Sequence, residues 1–399
     1  MKPSSKLRRL AGILAVAALT AACTASSPAA SSPAASPPAV LELACTTLPI
    51  ASTSAAGASG QHARPDWLSV PGFLSDVAAQ SSSSALAVGS SSPGARHSRA
   101  LVALWNGAAW TTLSTRALPR RSGLGAVAEF PGGAWVVGEY GLREHGDGGG
   151  VARQLIVRVT GTTVRRVPVP GPVYGSLGDV AATSAANAWA VGYSAHGPLI
   201  LHWNGAAWKR VPLPAAAGRG GFAGVAATSA TNAWAILNPE NGVVLPGIKA
   251  RIVHWNGRRW GDVVTPAIGM SYRLYDVAAT SAKNAWAVGS TGSARAVILH
   301  WNGLRWTCAL SPKMHRDLPG RSLFAVSASS ADNAWAVGSS AERALALHWN
   351  GHSWKQVMIP QPTTFLGGVA FIPPSGRAWA VGGTDRGTLM LQWNGTAWH

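Results

Sequence analysis

Four histidines at matching places are the first residues in this sequence that suggest metal chemistry. His202, His254, His300 and His348 each precede a Trp-Asn-Gly sequence, and neutral imidazole is a common metal ligand. Each belongs to a different copy of a repeat, so they cannot converge on one ion at about 2 Å. We therefore expect no metal site and no cofactor. Other copies have different residues there, which predicts a tolerant surface position: Leu104, Arg158 and Gln392.

Acid–base catalysis needs a pair of carboxylates, or a carboxylate and a histidine, in one pocket. The chain has only 15 acidic residues, and Asp76, Asp179 and Asp276 recur at the head of a predicted first strand, where we expect them to cap turns. Others lie in irregular segments and are open candidates for a catalytic acid: Glu129, Glu139, Glu144, Asp147, Glu240, Asp317, Glu342 and Asp385. No nucleophile elbow, P-loop, dinucleotide fingerprint or zincin helix is present. The sequence favours a non-catalytic protein and leaves open an enzyme assembled from loops.

The amino terminus has the pattern of an export signal. Four basic residues precede Leu10–Ala22, an apolar run too short to span a bilayer. Leu19-Thr20-Ala21-Ala22-Cys23 resembles a bacterial lipobox, with the leucine one position further from the cysteine than usual. We expect Cys23 to carry a lipid and to anchor the protein to the outer face of the cell membrane. Cleavage after Ala22 without lipidation would instead give a secreted protein.

Composition divides the chain into three parts. Residues 1–22 are the predicted signal peptide, residues 23–63 a Ser/Ala/Pro-rich tether that cannot build a core, and residues 64–399 the folded domain. Besides Cys23 there are two cysteines, Cys45 and Cys308. In an exported protein they are candidates for a disulfide, which would attach the tether to a late repeat.

The chain is strongly basic, with a formal net charge of +18. Without the signal segment, 29 basic and 15 acidic residues remain, a charge of +14. In a cytosolic protein this excess would indicate nucleic acid. For an exported protein we expect no nucleic acid, and anionic envelope polymers, lipid headgroups or a surface protein become the candidate partners. General solubility is the alternative explanation of the charge, and a monomer is expected.

Two motifs repeat through residues 66–399. One reads Asn187-Ala-Trp189-Ala-Val-Gly192, and its seven copies are 44 to 54 residues apart, with Leu86 in place of tryptophan in the first. The other reads Trp203-Asn204-Gly205 followed by Trp208, and its second copy is degenerate, with Val159 and Val164. Each unit divides into four short strands joined by turns. Four antiparallel strands every 40 to 50 residues are typical of a propeller blade, so we predict an all-β, seven-bladed β-propeller.

Nearly all the tryptophans fall at repeating positions, where packing explains them better than ligand stacking. Those of the predicted second strands are Trp135, Trp189, Trp234, Trp286, Trp335 and Trp379.

The ends of the repeat region suggest how a ring would close. Trp67-Leu-Ser-Val70-Pro71 has the fourth-strand spacing of Trp208-Lys-Arg-Val211-Pro212, although it precedes the first repeat. The last repeat stops at Trp398, where its own fourth strand would begin. We predict that residues 66–71 complete the last blade, with Trp67 and Trp398 both candidates for one position.

The order of the two motifs resembles the repeats of Asp-box (BNR) sialidase-like propellers, of photosystem-assembly propellers and of kelch/galactose-oxidase propellers. It is most similar to propeller lipoproteins of bacteria. The resemblance spans about residues 66–399 and implies the architecture only. An Asp box has Asp five residues before Trp, whereas Asn204 stands four residues before Trp208, and Gly382-Gly383 alone imitates the kelch Gly-Gly pair. No catalytic residue is therefore carried over.

Function on such a scaffold is expected in the variable loops. The turns between first and second strands, and the Asn-Gly turns, hardly vary and share one face. The loops between second and third strands and those joining blades vary and share the opposite face, which is rich in cations. We predict that this face binds an anionic or protein partner; a glycan hydrolase or lyase acting there is the alternative. The candidate residues are Arg96, Arg99, Arg120, Arg121, Arg143, His145, Lys313, His315, Arg316 and Arg321.

Overall fold

A computed structural model provides the structure of the chain. It describes residues 70–91, 98–141, 152–171, 173–213, 218, 220–239, 249–268, 271–310, 320–341, 343–359 and 364–399. Cys23, Cys45 and Trp67 lie outside these residues, so the lipidation, the disulfide and the three-part division of the chain stay predictions.

The described residues form seven antiparallel sheets, each a consecutive stretch of the chain. Blade 1 contains β1 (Gly72–Ser81), β2 (Ser84–Ser91), β3 (Arg99–Trp105) and β4 (Trp110–Thr112), and blade 2 contains β5 (Ser122–Phe130), β6 (Gly133–Tyr140), β7 (Arg153–Thr160) and β8 (Thr163–Val167). Blade 3 contains β9 (Gly175–Ser184), β10 (Asn187–Ser194), β11 (Gly197–Trp203) and β12 (Trp208–Arg210), and blade 4 contains β13 (Gly220–Ser229), β14 (Asn232–Pro239), β15 (Arg251–Trp255) and β16 (Trp260–Val263). Blade 5 contains β17 (Tyr272–Ser281), β18 (Asn284–Thr291), β19 (Ala296–Trp301) and β20 (Trp306–Cys308), and blade 6 contains β21 (Arg321–Ser330), β22 (Asn333–Ser340), β23 (Arg343–Trp349) and β24 (Trp354–Val357). Blade 7 contains β25 (Phe365–Ile372), β26 (Arg377–Thr384) and β27 (Gly387–Trp393).

The blades form a closed ring. The first strand of each blade packs against the first strand of the next, and β25 of blade 7 packs against β1 of blade 1. A sheet of this size cannot bury both faces alone, so each blade depends on its two neighbours. The predicted seven-bladed, all-β propeller is confirmed.

Both ends of the repeat region lie along the outer edge of β27. Trp398 bridges Trp393, and the backbone of His399 exchanges two hydrogen bonds with that of Gln392. Further along the same edge, the amide of Thr388 donates to the carbonyl of Val70 at 3.2 Å. Of the two tryptophans that compete for one position, Trp398 occupies it. The part played by residues 66–69 in closing the ring stays a prediction.

Tryptophans form the contacts between most blades. Trp286 of β18 inserts between Trp349 and Trp354 of blade 6, with ring centroids 5.2 and 5.3 Å apart and the second pair perpendicular. Edge-to-face packing of this kind is favourable beyond its buried area. The same wedge recurs at Trp135, Trp189, Trp234, Trp335 and Trp379, which are all buried.

The boundary between blades 1 and 2 is aliphatic instead. Leu86 stands where other blades have the wedge tryptophan, and Val159 and Val164 stand where the next blade has its tryptophan pair. All three belong to one buried cluster, which Leu118 joins. Blade 1 lacks the tryptophan of the second-strand motif, and blade 2 lacks both tryptophans of the Trp-Asn-Gly motif. These two irregular copies form the two sides of one interface.

The histidines of the repeat are part of this packing, not a tolerant surface position as the sequence predicted. His300 stacks on Trp286 with ring centroids 3.9 Å apart, and its Nε2 lies 2.8 Å from Oδ1 of Asn284. Partial burial lowers the pKa of the His300 imidazole. The arrangement recurs in three other blades, at His202, His254 and His348. Each histidine therefore has an asparagine of its own blade as its partner.

Candidate functional site

The two ends of the ring differ in what they present. The turns between first and second strands and the Asn-Gly turns lie at one end, here called the turn end. The ends of the second strands and the beginnings of the first and third strands lie at the other, the long-loop end. At the turn end, Asn204 Oδ1 accepts from two backbone amides of its own turn, and Trp203 Nε1 donates to the carbonyl of Ala185. Residues of the repeated turns therefore hold the turns together.

A ring of β-bulges surrounds the axis. In every blade the pairing with the second strand skips one residue in the first half of the first strand, and in five blades it skips another near the turn. The bulges in the first half form the ring. Bulges leave a residue unpaired and commonly adjoin binding and active sites. All seven residues skipped in this ring line one axial cavity of about 850 Å³: Ser75, Gly125, Gly178, Ala223, Tyr275, Phe324 and Gly367.

Three aspartates follow the bulge in alternate blades and join neighbouring first strands. Asp276 accepts from its neighbour Val277 at 2.7 Å and, across the blade boundary, from Val326 at 2.7 Å. Asp76 joins blades 1 and 2 in the same way, and Asp179 joins blades 3 and 4. The prediction that these aspartates cap turns was wrong, because their carboxylates reach across to the adjacent blade.

The aspartates lie deep in the ring, and each exposes only part of its surface to the cavity. Burial raises the pKa of Asp76 to about 6 and that of Asp276 to about 7, against the lowering effect of their amide donors. Burial and the nearby Asp276 and Asp76 carboxyls also raise the pKa of Asp179 well above its ordinary value.

Blades 5 and 6 make the long-loop mouth of the cavity asymmetric. Tyr275 and Phe324 are the bulge residues there, with ring centroids 6.1 Å apart, whereas the other five blades have glycine, alanine or serine. Tyr275 Oη lies 2.9 Å from Ser290 Oγ. Beside them in β17, Arg273 is only 5% exposed. It pairs with Ser290 across the sheet.

A second distinctive surface lies at the long-loop end of blades 2 and 3, and we call it the Tyr–Arg surface: Tyr140, Arg153, Arg166, Tyr174 and Tyr193. The guanidinium of Arg166 lies 4.7 Å from the Tyr140 ring centroid, and that of Arg153 lies 5.4 Å from the Tyr174 centroid. Arg166 Nη2 also donates to Tyr140 Oη at 2.9 Å. Tyr174 and Tyr193 are 46% and 36% exposed. Aromatic and arginine side chains of this kind dominate binding hot spots.

Among the described residues, Glu139 is a carboxyl that lies close enough to this surface to act on Tyr193. It is buried at the end of β6, and burial raises its pKa against a hydrogen bond from Ser176. Burial and the proximity of Glu139 in turn raise the pKa of Tyr193. Glu139 is only 8% exposed, so its carboxyl is covered while Arg153 and Arg166 stay exposed to a partner.

The candidate cations of the sequence analysis are not all at the surface. Arg99, Arg120 and Arg121 are exposed at the long-loop end, and Arg121 has a φ of +58° immediately before β5. Arg321 is buried, and its Nη2 donates to Gln356. The remaining candidates lie outside the described residues: Arg96, Arg143, His145, Lys313, His315 and Arg316.

Sequence reasoning did not find Tyr275, Phe324 or the Tyr–Arg surface as a site. A signal was available, because four of the five tyrosines of the chain fall at strand ends or joining segments of the long-loop end, and the fifth, Tyr275, lies in the first half of β17.

In the part of the chain that the structure describes, no group of three or more His, Cys, Asp or Glu side chains is suited to a metal ion. Likewise, no described helix has the length and apolar character needed to cross a membrane. Cys308 lies half-buried at the end of β20, and its Sγ lies 3.7 Å from the carbonyl oxygen of Leu310.

Comparison with solved structures gives the same architecture. A structure of YCF48 bound to D1 peptide matches with a TM-score of 0.55 at 13% identity, covering 81% of this chain and 92% of that one. YCF48 from Cyanidioschyzon merolae matches with a TM-score of 0.54 at 15% identity, covering 81% and 96%. The β-propeller domain of the Trilobed protease from Pyrococcus furiosus matches with 0.50 at 9%, covering 81% and 96%. No protein-family model and no curated protein sequence matches the chain. At these identities the likeness establishes the propeller fold alone.

Proposed function

We propose that the protein is a non-catalytic binding module that takes an acidic protein or peptide partner at its long-loop end. The observation that carries the proposal is the Tyr–Arg surface, where exposed tyrosines and arginines adjoin one another. An arginine stacked on a tyrosine keeps its N–H groups available for a carboxylate of a partner. The turn end, by contrast, uses its recurring residues to hold its own turns.

The structural comparison adds limited support. YCF48, which shares the fold, is described with a bound D1 peptide. That protein therefore provides a precedent for peptide binding by a propeller. The identity of 13% transfers no binding residue, so the partner here is argued from charge and exposure.

We further propose that the protein acts outside the cell. The signal-like residues 1–22, Cys23 and the tether 23–63 support anchoring to the outer face of the cell membrane. There the positive charge would meet acidic surface proteins or anionic envelope polymers.

The test is a salt titration of binding by the full chain. The probe is a fluorescein-labelled peptide of alternating Glu and Ala, and the same peptide with Lys for Glu is the negative control. Arg153→Gln with Arg166→Gln should weaken Glu-peptide binding about tenfold and reduce its salt dependence. Arg258→Gln with Arg259→Gln removes two exposed arginines from the turn end and should leave binding unchanged. An equal loss of affinity for the Glu peptide in the two double variants would overturn the proposal, because the net charge of the protein alone would then explain binding.

A polymer partner is distinguished with polyphosphate. If polyphosphate binds more tightly than the Glu peptide and is insensitive to Tyr174→Ala, the partner is an anionic polymer held by diffuse charge.

One observation favours an enzyme as the second candidate. The axial cavity is lined by carboxyls with raised pKa values, which is a common property of general acids. An extracellular glycan hydrolase or lyase would use one of them. Asp276→Asn should then abolish release of reducing ends from a glycan panel while the protein stays folded. The two amide donors on each aspartate favour the structural role instead.

A further inference from the structure

The seven blades share one repeat, so residues that depart from it fall into two groups. Some departures are matched by a complementary substitution on the neighbouring blade, and others are not. Leu86 departs from the tryptophan wedge, and Val159 and Val164 depart with it on the other side of the interface. A departure of this kind is compensated by packing. Near the beginning of β17 in blade 5, the departures have no such counterpart.

Arg273 is the clearest uncompensated departure. Equivalent positions in the other blades carry Phe73, Gly123, Ser176, Gly221, Ser322 and Phe365. Within the part of the chain that the structure describes, the guanidinium makes one hydrogen bond, from Nη2 to the carbonyl of Pro239 at 3.3 Å, and its buried Nε has no partner. Among the described residues the only ion pair is Arg251–Asp262, so no described carboxylate balances this charge. Burial accordingly lowers the pKa of Arg273.

A buried guanidinium without a counter-charge is costly, and an apolar residue would serve packing better. The cost becomes understandable if a bound anion completes the site. A planar carboxylate matches the donor geometry of a guanidinium.

Arg273 is not among the residues that line the axial cavity, but Tyr275, two residues further along β17, lines it and acts electrostatically on the pKa of Arg273. The residues around Tyr275 determine what else such a ligand contacts. Tyr275 and Phe324 form an aromatic surface on the cavity, while the bulge residues opposite are small. Deeper in the cavity, Asp76, Asp179 and Asp276 disfavour a second anion. A ligand that fits has one carboxylate at the mouth and an aromatic or aliphatic group beside it.

We propose that Arg273, Tyr275 and Phe324 form a carboxylate-binding subsite at the axial mouth, which takes a peptide carboxylate adjacent to an apolar side chain. The peptide nature of the ligand rests on the proposed function. The subsite itself does not, because its residues belong to blades 5 and 6, whereas those of the Tyr–Arg surface belong to blades 2 and 3.

The experiment measures thermal unfolding of the full chain with phenylacetate and with its neutral counterpart, phenylacetamide. A ligand that binds only the folded state raises the melting temperature. Phenylacetate should raise it in wild type and in Arg305→Gln, which removes an exposed arginine from the turn end of the same blade. Phenylacetamide should not. Arg273→Leu should abolish the phenylacetate shift, and Tyr275→Ser should reduce it.

The unliganded melting temperature of Arg273→Leu gives an independent readout. It should equal that of wild type or exceed it by a few degrees, because an unbalanced buried charge is removed. A lower melting temperature in Arg273→Leu, with a similar decrease in Glu240→Gln, would overturn the proposal. It would mean that the carboxylate of Glu240 balances the charge of Arg273. Glu240 follows Pro239 in sequence and lies outside the described residues.

Peptides then identify the source of the carboxylate. A Gly-Ser peptide ending in Phe is compared as free acid and as amide, and an amidated peptide with an internal Glu-Phe pair is the second arm. If amidation of the peptide ending in Phe abolishes its binding, the bound carboxylate is that of a chain terminus. If the amidated Glu-Phe peptide binds, the bound carboxylate is that of a side chain.

If phenylacetate binds through Arg273 but no acidic peptide binds, the subsite stands and the proposed function fails. If the Glu-Ala peptide binds through Arg153 and phenylacetate does not bind, the subsite fails. Arg273-dependent binding of a uronate oligosaccharide in place of the peptides would overturn the peptide assignment.

Discussion

The interface between blades 1 and 2 and the mouth at blades 5 and 6 both break the repeat, in opposite ways. At the interface, a missing tryptophan on one blade is matched by two valines on the next, and the cluster is buried and apolar. At the mouth, an arginine and two aromatic residues are added where other blades have mainly small residues, and the arginine has no described counter-charge. The copies of a repeat can thus be compared within one chain. A substitution matched by a complementary one on the next blade serves packing, and a substitution without such a match indicates binding.

The largest loss of stability is expected when the leucine of blade 1 is introduced into another blade without the matching valines on its neighbour. Trp286→Leu reproduces Leu86 but leaves Trp349 and Trp354 facing a void. Large-to-small changes in a packed core cost about 3 kcal/mol or more. Chemical denaturation of the full chain should show this loss; a loss below about 1 kcal/mol would mean that the tryptophan wedge is not a main source of stability.

The reverse change tests the aliphatic interface. Leu86→Trp inserts an indole against Val159 and Val164, which leave no tryptophan-sized slot. Overpacking of this kind costs about 1–3 kcal/mol. A variant as stable as wild type in denaturant would show that the leucine and valines are independent substitutions.

The carboxylates that join blades should make stability depend on pH. The pKa of Asp276 is about 7 in the folded protein and near 3.8 when unfolded, so the folded state binds the proton more tightly. Its contribution is present at acidic pH and is lost as the pH rises through about 7. Relative to Asp276→Asn, wild type should lose roughly 1–2 kcal/mol between pH 5 and pH 8, less than full conversion of the shift because the cavity wets the carboxyl.

The comparison between wild type and Asp276→Asn is necessary because the stacked histidines act in the opposite direction. Their folded pKa values are lowered, so they lose stability as the pH falls below about 6.5. Both proteins contain these histidines, and subtraction removes them. A difference that stays constant from pH 5 to pH 8 would contradict the raised pKa of Asp276.

The smallest effect is expected at the mouth. Tyr275→Ser restores the residue type of blade 1 and removes a ring that lines the cavity. Because the ring is partly exposed and its one hydrogen bond is to Ser290, the stability loss should stay below about 1 kcal/mol. A loss comparable to that of Trp286→Leu would make Tyr275 a packing residue and remove the contrast.

Much of the architecture could be predicted because repeats carry redundant information. Seven copies of the second-strand motif, five of them with Ala-Val-Gly, and six Asn-Gly turns determined the number of blades, the strand order and the two ends. The roles of single polar residues could not be predicted in this way. Asp276 bonds an amide fifty residues away, and His300 is explained only by the ring of Trp286 beneath it.

The candidate site was harder to predict than the fold. Searching the loops for cations selected Arg120, which is exposed, and Arg321, which is buried, because charge alone does not determine exposure. Arg273 lies within a strand, where a single sequence provides no indication that its guanidinium lacks a counter-charge. Aligning the seven copies against each other would have shown it as an exception.

Amide hydrogen exchange of the full chain, with and without the Glu-Ala peptide, tests most directly whether binding belongs to the long-loop end. The account predicts slower exchange on binding at the end of β6, the beginnings of β7 and β9 and the end of β10, with no change in the Asn-Gly turns. Protection concentrated in those turns, or spread evenly over both ends, would contradict it.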